Sequence, residues 1–495
     1  MSKEVIDKLG RVENVGVDFI PDEQRKSRPL NIWWILFGGS MTFSIIIIGW
    51  FPVSFGLGWW DSFWAIVVGS VIGSSLLAPM ALFGPRTGTN NPVASGAHFG
   101  ARGRLIGSVL GIVACIVFAA LSVWTAGDVL AESASQIFTN NESGLTLKLI
   151  AYGLVAVIMT LIAVMGHANM VALSKFMVPT AGLMMLVGIF VFLPNFDSNY
   201  AGGDYLFGSY WPTWTAGMLV VAATTASYGP YVGDWARHIS STKYTQRKMF
   251  TVTWLGGFFG MGSAYMFAAY TSVTFANPLN PYATEIVANS PFWFLFPLLF
   301  IGIVAGTAQA VINIYSMGLD FSAIFSRLSR IQATILLSGV STIIVYLGAI
   351  NSTIINLINI TLLYLVVLGT PWVIVNIIGY INRRGHYYPD DLQVFNRRQI
   401  GGRYWFTNGL NRQATFAWFL GALAGFLFTN TPVYLAPGAK WLWEVDFGLF
   451  ISAFVSAIAY IVLLYLFPEP KDAFGPQGAR IKSSENYANT PIQQK

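Results

Sequence analysis

Long apolar stretches recur along the chain from Asn31 to Phe467, each closed by a short polar or charged connection. They lack the alternation of apolar and polar residues that a lipid-facing strand carries, so they read as helices and not as a barrel. A hydrocarbon core of about 30 Å takes roughly 20 helical residues to cross, which gives about twelve spans. These fall near 32–57, 62–84, 105–131, 147–166, 174–194, 213–232, 249–275, 291–320, 332–348, 354–380, 414–429 and 446–467. The pattern predicts an all-α membrane protein. Two spans are interrupted. The first holds Gly38-Gly39-Ser40, Met41-Thr42-Phe43-Ser44 and Pro52; the sixth holds Thr224-Thr225-Ala226-Ser227-Tyr228-Gly229-Pro230. Glycine and proline weaken the helical ladder, and neighbouring hydroxyls satisfy the freed backbone groups. The two interruptions lie five spans apart. That suits a repeat of spans 1–5 and 6–10, with spans 11 and 12 appended.

Composition agrees: of 495 residues, 55% are hydrophobic and only 10% charged, with a mean hydropathy of +0.58. A soluble domain needs more charge to cover its surface. The bases gather in alternate connections. Lys3, Lys8, Arg11, Arg25, Lys26 and Arg28 precede the first span; Arg86, Arg102 and Arg104 follow the second; Arg237, Lys243, Arg247 and Lys248 follow the sixth. Arg327 and Arg330 follow the eighth, and Arg383, Arg384, Arg397, Arg398, Arg403 and Arg412 follow the tenth. The other connections carry Asp61, Glu142, Asp197, Asp204 and Glu285. By the positive-inside rule both termini are cytoplasmic, in a plasma or bacterial inner membrane. The bases are topology signals, and no nucleic-acid partner is expected.

The expected organisation is a cytoplasmic arm (1–30), a transmembrane domain (31–467) and a polar, mobile cytoplasmic tail (468–495). Within the domain, repeat one covers about 31–195, repeat two about 212–382, and helices 11 and 12 about 414–467. The first thirty residues hold no apolar core of a cleavable signal. Cys115 is the single cysteine, set within an apolar span, where packing is the expected role. His98, His167, His238 and His386 are scattered singly, with no metal spacing and no phosphate loop, so no metal or cofactor is expected. Asn141-Glu142-Ser143 and Asn351-Ser352-Thr353 match glycosylation acceptors in connections assigned to the outside.

Several stretches resemble the nucleobase:cation symporter-1 family, and in particular its purine–cytosine permease branch. They are Phe55-Gly56-Leu57-Gly58-Trp59-Trp60-Asp61, Gly84-Pro85-Arg86-Thr87-Gly88 and Phe99-Gly100-Ala101-Arg102-Gly103. Tyr228-Gly229-Pro230-Tyr231-Val232-Gly233-Asp234-Trp235-Ala236-Arg237 is similar to that branch's sixth-span signature. Asn313-Ile314-Tyr315-Ser316-Met317-Gly318-Leu319 and Arg383-Arg384-Gly385-His386-Tyr387 follow in the same order. The resemblance implies a LeuT-type fold: two inverted five-helix repeats with substrate held between spans 1, 3, 6, 8 and 10, worked by alternating access. It implies import of cytosine or purines by cation symport. Other small heterocycles remain open: allantoin, a hydantoin, a nucleoside or a vitamin ring. An intramembrane enzyme is disfavoured, because no nucleophile–base pair or carboxylate cluster is in view.

A small planar heterocycle needs a π face for stacking and polar groups for its edge. Trp124 and Asp128 are four residues apart, on one helical face. By the resemblance the tryptophan stacks on the base and the residue one turn on binds its edge, where the branch usually carries an amide. An intramembrane carboxylate is a functional candidate by default, and Asp128 is therefore also the candidate for proton coupling. The plainer alternatives are a packing tryptophan and a carboxylate high enough to reach water. Thr224, Thr225, Ser227 and Tyr228 are further substrate-binding candidates, against the ordinary alternative that the hydroxyls bond their own i−4 carbonyls. Gln309 and Asn313 share a face and both donate and accept, or else merely tie helices together. Asp234 and Arg237 are candidates for an ion pair latching the inner gate, or for a solvated helix end. Sodium-coupled relatives place two hydroxyl residues in the eighth span. Here Ala308 and Gln309 stand in that place, beside Thr307, so a proton is expected as the coupling cation over sodium.

Overall fold

The computed structural model describes residues 8–13, 16–139, 143–302, 306–325, 327–431, 434–486 and 491–494. The helical side chains at 306–307, 352–360 and 362–363 lie outside that description. Lys3, Asn141 and Glu142 fall outside the described residues, as do the side chains of Thr307, Ser352 and Thr353.

The apolar runs form helices where they are expected. α1 is a bent pair, Pro29–Ser40 and Phe43–Ser54, followed by α2 (Trp59–Thr87), α3 (Leu105–Thr139), α4 (Leu145–Met165) and α5 (His167–Asn195). α6 spans Tyr210–Ala226. α7 runs from Gln246–Leu255 through a π-helical turn at Gly256–Met261 into Gly262–Ser272. α8 is Gly306–Ile324, led by the short helix Leu295–Phe300. α9 (Arg330–Ile350), α10 (Ser352–Asn382), α11 (Arg412–Leu427) and α12 (Gly448–Leu466) complete the bundle. Among the described residues, seven helices are long and apolar enough to cross a bilayer, or eight with the bent pair counted as one. α6, α7, α8 and α11 lie where the remaining expected spans fall and are shorter or interrupted.

Both interruptions are present, and each is satisfied locally. α1 bends by 81° where Thr42 takes an extended conformation. Ser40 returns its hydroxyl to the Leu36 carbonyl, and Thr42, Ser44 and Ser122 of α3 form a chain of 3.0 Å hydroxyl contacts. α6 ends at Ala226 and the chain turns through Tyr228–Tyr231 before a short helix, Val232–Ala236. The Gly229 carbonyl, freed by that turn, accepts a hydrogen bond from Asn91 Nδ2 at 2.7 Å. The same amide also reaches the Met80 carbonyl in the last third of α2. Buried backbone groups must be paired in a membrane, so the α2–α3 connection holds the α6 break in place.

α3 is the axis of the bundle: its apolar window is 78% buried, against 28% for α5 and α12, which turn most of their surface outward. Leu183, Phe190, Phe454 and Ile458 are exposed on those two helices, as lipid contact requires. α8 packs along both α3 and α9, and α2 along α6.

The start of the tail is anchored to the bundle. Glu469 is 1% exposed and takes Arg383 Nη2 and Asn411 Nδ2 at 2.5 Å each, while Phe474 lies against the Arg383 guanidinium. A buried guanidinium needs a counter-charge, and the tail supplies it.

Candidate functional site

Between α1, α3, α6 and α10 lies a cavity of about 480 Å³ with a mainly apolar wall. Phe207, Leu279, Asn430 and Asp446 are also part of its wall. They belong to the α5–α6, α7–α8 and α11–α12 connections, all on the face opposite both termini by the parity of the helices.

Four of the eight binding candidates named from sequence line this cavity: Trp124, Asp128, Thr224 and Ser227. Trp124 and Asp128 are both partly open to it, one turn apart on α3. Asp128 Oδ1 accepts the Tyr152 hydroxyl of α4 at 2.5 Å, while the nearby Lys148 is engaged by Glu132 at 3.2 Å. The carboxylate thus has the Tyr152 hydroxyl and the Trp124 indole N–H beside it and no ion pair among the described residues, which still leaves lone pairs for a ligand edge. Tyr152 was missed in the sequence because nothing local ties α4 to α3. Thr224 gives its hydroxyl to the Val220 carbonyl at 2.8 Å, and Ser227 to the Thr224 carbonyl at 2.7 Å. Each can still accept from a ligand.

The other four candidates stand behind the wall. Thr225 bonds Val221 and faces Tyr265 of α7 at 3.3 Å. Tyr228 is buried between Phe118, which lines the cavity, and Gln309 of α8. Gln309 and Asn313 are fully buried and face each other at 3.5 Å. The turn that ends α6 lays Tyr228 across the approach to α8, so this pair is screened from the cavity.

The expected ion pair between Asp234 and Arg237 is replaced by another. Arg237 Nη2 lies 3.1 Å from Glu13 Oε1 and also donates to the Tyr315 hydroxyl at 3.1 Å, and Nη1 reaches the Gly16 carbonyl. Glu13 Oε2 accepts the His167 backbone N–H at 3.0 Å, and Arg330 holds the Glu13 carbonyl at 3.2 Å. Arg237 and Glu13 are essentially unexposed, 0% and 1% by side chain. One glutamate of the N-terminal arm, through its carboxylate and its backbone carbonyl, thereby ties α5, the segment after the α6 break, α8 and α9 together on the face of the termini. No Asp234–Arg237 contact at ion-pair distance occurs among the described residues, because the guanidinium is turned toward the arm.

Asp446, in the α11–α12 connection, accepts the N–H groups of Asn430 and Gly448 at 2.9 and 2.7 Å. Burial pushes its carboxyl up from 3.8 to about 6, against those two bonds, which lower it. A carboxyl raised on folding is penalised when charged, so the penalty is present above pH 6 and is relieved as pH falls from about 6 toward 4. Hydrogen exchange across residues 434–447 should therefore slow between pH 7.5 and pH 5 after correction for intrinsic rates. Asp446→Asn should remove that difference; its persistence would place the titrating group elsewhere.

A helical bundle broken in its first and sixth helices around a central cavity defines a membrane carrier of the LeuT type. Its two inverted five-helix repeats are α1–α5 and α6–α10, followed by α11 and α12. Over residues 19–462 the chain matches the family described as permeases for cytosine/purines, uracil, thiamine and allantoin, and it belongs to that family. It is a permease and not an enzyme. The Bacillus subtilis (strain 168) protein YxlA, named as a purine-cytosine permease, is 24% identical over 469 residues, covering 92% of this chain and 96% of that one. Among solved structures, the chain is similar to Mhp1, a nucleobase-cation-symport-1 family transporter, in a closed conformation with bromovinylhydantoin bound. The TM-score is 0.72 at 18% identity, covering 94% of this chain and 97% of that one. The inward-facing conformation of Mhp1 follows at 0.69 and 18%, covering 95% and 97%.

Proposed function

We propose that this permease imports a flat nitrogen heterocycle, cytosine or a purine base, together with a proton. The observation that carries the reading is the Trp124–Asp128 pair, open to one cavity with a stacking face and a hydrogen-bonding edge one turn apart. Thr224 and Ser227 face them from the broken helix as acceptors. Thr225, Tyr228, Gln309 and Asn313 then act as the layer behind the substrate. With the termini cytoplasmic, the cavity opens outward and the Glu13–Arg237 cluster is the closed inner gate. Alternating access requires that cluster to part while the mouth shuts.

Proton coupling is favoured by what occupies the contact between α8 and the first half of α1. Ala308 offers no side-chain oxygen there, and the Gln309 amide fills the space against Gly39, where an added Cβ would stand 3.3 Å from Oε1. Asp128 is the group that takes the proton from the outer cavity. Its being a carboxylate also favours a second substrate reading, a positively charged or donor-rich vitamin ring of the thiamine kind, because an acceptor-only group rejects an acceptor-rich edge.

The test is uptake of radiolabelled cytosine, adenine, hypoxanthine, uracil, allantoin and thiamine into cells expressing the protein, with sodium and pH varied separately. Saturable uptake of one of them that rises at acid pH without sodium is the expected result. A strict sodium requirement would overturn the proton reading. Asp128→Asn should flatten the pH profile of uptake, and a variant that answers a protonophore as the parent does would remove Asp128 from the coupling.

A further inference from the structure

Beneath the cavity floor, two carboxylates are buried without ion partners. Asp320, near the inner end of α8, and Asp234, in the short helix after the α6 break, are both 0% exposed. Asp320 Oδ1 accepts Asn90 Nδ2 at 2.8 Å, but its Oδ2 has no hydrogen-bond partner among the described residues, and Asp234 has the Ser316 hydroxyl as its one neighbouring side-chain donor. The Ser316 hydroxyl, one turn from Asp320 on α8, is buried and faces Asp234 as its donor. A buried acceptor is expensive unless something donates to it. A proton is the smallest ligand that answers the need.

The surroundings are those of a relay point rather than of a structural ion pair. The charged or titratable groups facing Asp320 are Asp234 from the α6 break, Arg104 just ahead of α3, and Cys115 of α3. Those facing Asp234 are Arg237, Glu13 of the arm, Tyr315 and Asp320 of α8, and Cys115 of α3. Neither arginine is within ion-pair distance of either aspartate among the described residues. Arg237 is taken by Glu13, and Arg104 gives Nη2 to the Ala323 carbonyl at 3.0 Å while its Nε and Nη1 remain without partners. Arg104 is thus a buried cation with free donors, placed to receive the carboxylate charge once a proton has left. The distance to the cavity is short. Asp320 Oδ2 packs on Gly111 of α3, and from the point where a Cβ would stand there, Pro230 of the cavity wall is 3.7 Å away.

We propose that Asp320, with Asp234 beside it, is a second proton site that holds the coupling ion beneath the substrate cavity and releases it on the inner side. The inference rests on the proton-symport reading above. Asp128 lies near the outer end of α3, about 25 Å along the helix from Gly111 at 1.5 Å per residue, so the two acids serve opposite ends of the path. Only an O–H bond is made and broken. A carboxylate oxygen takes a proton passed down from cavity water, the neutral acid persists while the inner gate is shut, and the proton passes to inner-side water as the cluster parts. Arg104 then faces the carboxylate left behind.

The test uses the purified full chain in proteoliposomes, with whichever base the cell assay identifies as probe. Two rates are compared: net uptake driven by a pH gradient, and counterflow exchange with substrate on both sides. Asp320→Asn mimics the protonated acid and should lower net uptake by roughly tenfold or more while counterflow stays within about twofold. Net uptake unchanged by Asp320→Asn in a pH-driven parent would overturn the inference alone. A parent whose uptake ignores the pH gradient would overturn the symport reading itself. Should Asp320→Asn fail to assemble, Asn90→Ser keeps a helix cap but is too short to reach Asp320. Losing that donor should shift the pH midpoint of net uptake toward alkaline values and leave counterflow alone; an unmoved midpoint would count against the site.

Discussion

Trp124→Ala is expected to abolish saturable uptake at low substrate concentration while the protein still reaches the membrane. Stacking a base on an aromatic side chain is worth about 1–3 kcal/mol, or roughly fivefold to more than a hundredfold in affinity. Trp124 supplies that face one turn from the only carboxylate on α3 that lines the cavity among the described residues. Its ring is partly open and packs at the edge of the core, so its loss should leave the bundle assembled. Trp124→Phe keeps a smaller face and should fall between parent and alanine variant. Concentration-dependent uptake, normalised to surface labelling, gives the answer, and an unchanged half-saturation constant in the alanine variant would sink the site assignment.

Glu13→Ala should open the inner gate. The substitution leaves Arg237 buried with its charge unanswered and removes the acceptor that Tyr315 and the His167 N–H share. Breaking a buried pair costs about 3 kcal/mol or more, and that cost applies only in the conformation where the cluster is closed. The balance should therefore move by roughly two decades toward the conformation in which the arm is released. A single cysteine at position 223 on the cavity wall, in a Cys115→Ser background, reports the change. Its labelling by a membrane-impermeant thiol reagent from outside should slow markedly with Glu13→Ala. Equal labelling with and without Glu13 would mean that the arm merely decorates the inner face.

What the sequence made legible comes from short-range rules. A run of apolar residues long enough to cross a bilayer becomes a helix because no water is there to satisfy the backbone otherwise. The spans could therefore be placed, most ends within a few residues, while α3 runs on to Thr139, α5 begins already at His167 and α8 only at Gly306. The breaks at Met41–Thr42 and after Ala226 were visible for a similar reason: glycine, proline and clustered hydroxyls act on their own turn of helix. Trp124 and Asp128 could be paired because four residues on a helix are one turn. By the same local rule Gln309 and Asn313 were correctly set on one face, but which way that face points is a tertiary matter, and it points at Tyr228 rather than at the cavity.

The inner half of the molecule was decided by the tertiary structure alone. Asp320 reads from sequence as the last residue of a span, where water would reach it, yet the α2–α3 connection and α3 close over it. Arg237 reads as the partner of Asp234, three residues away, yet it pairs with Glu13 across 224 positions of chain. Glu13 and Glu469 lie in polar termini that carry no periodicity at all, and both are buried against arginines. Ion pairs of this kind carry no local signature. Their geometry depends on which helices meet, and an arginine forced into the interior takes whichever carboxylate the assembled bundle brings within reach. The sequence by itself thus determined a broken-helix membrane carrier and one wall of its cavity, because helix formation and helical periodicity act over a turn or a span. Only the packed bundle decided what seals the inner face and where its buried acids lie, because buried charge is satisfied across the whole chain.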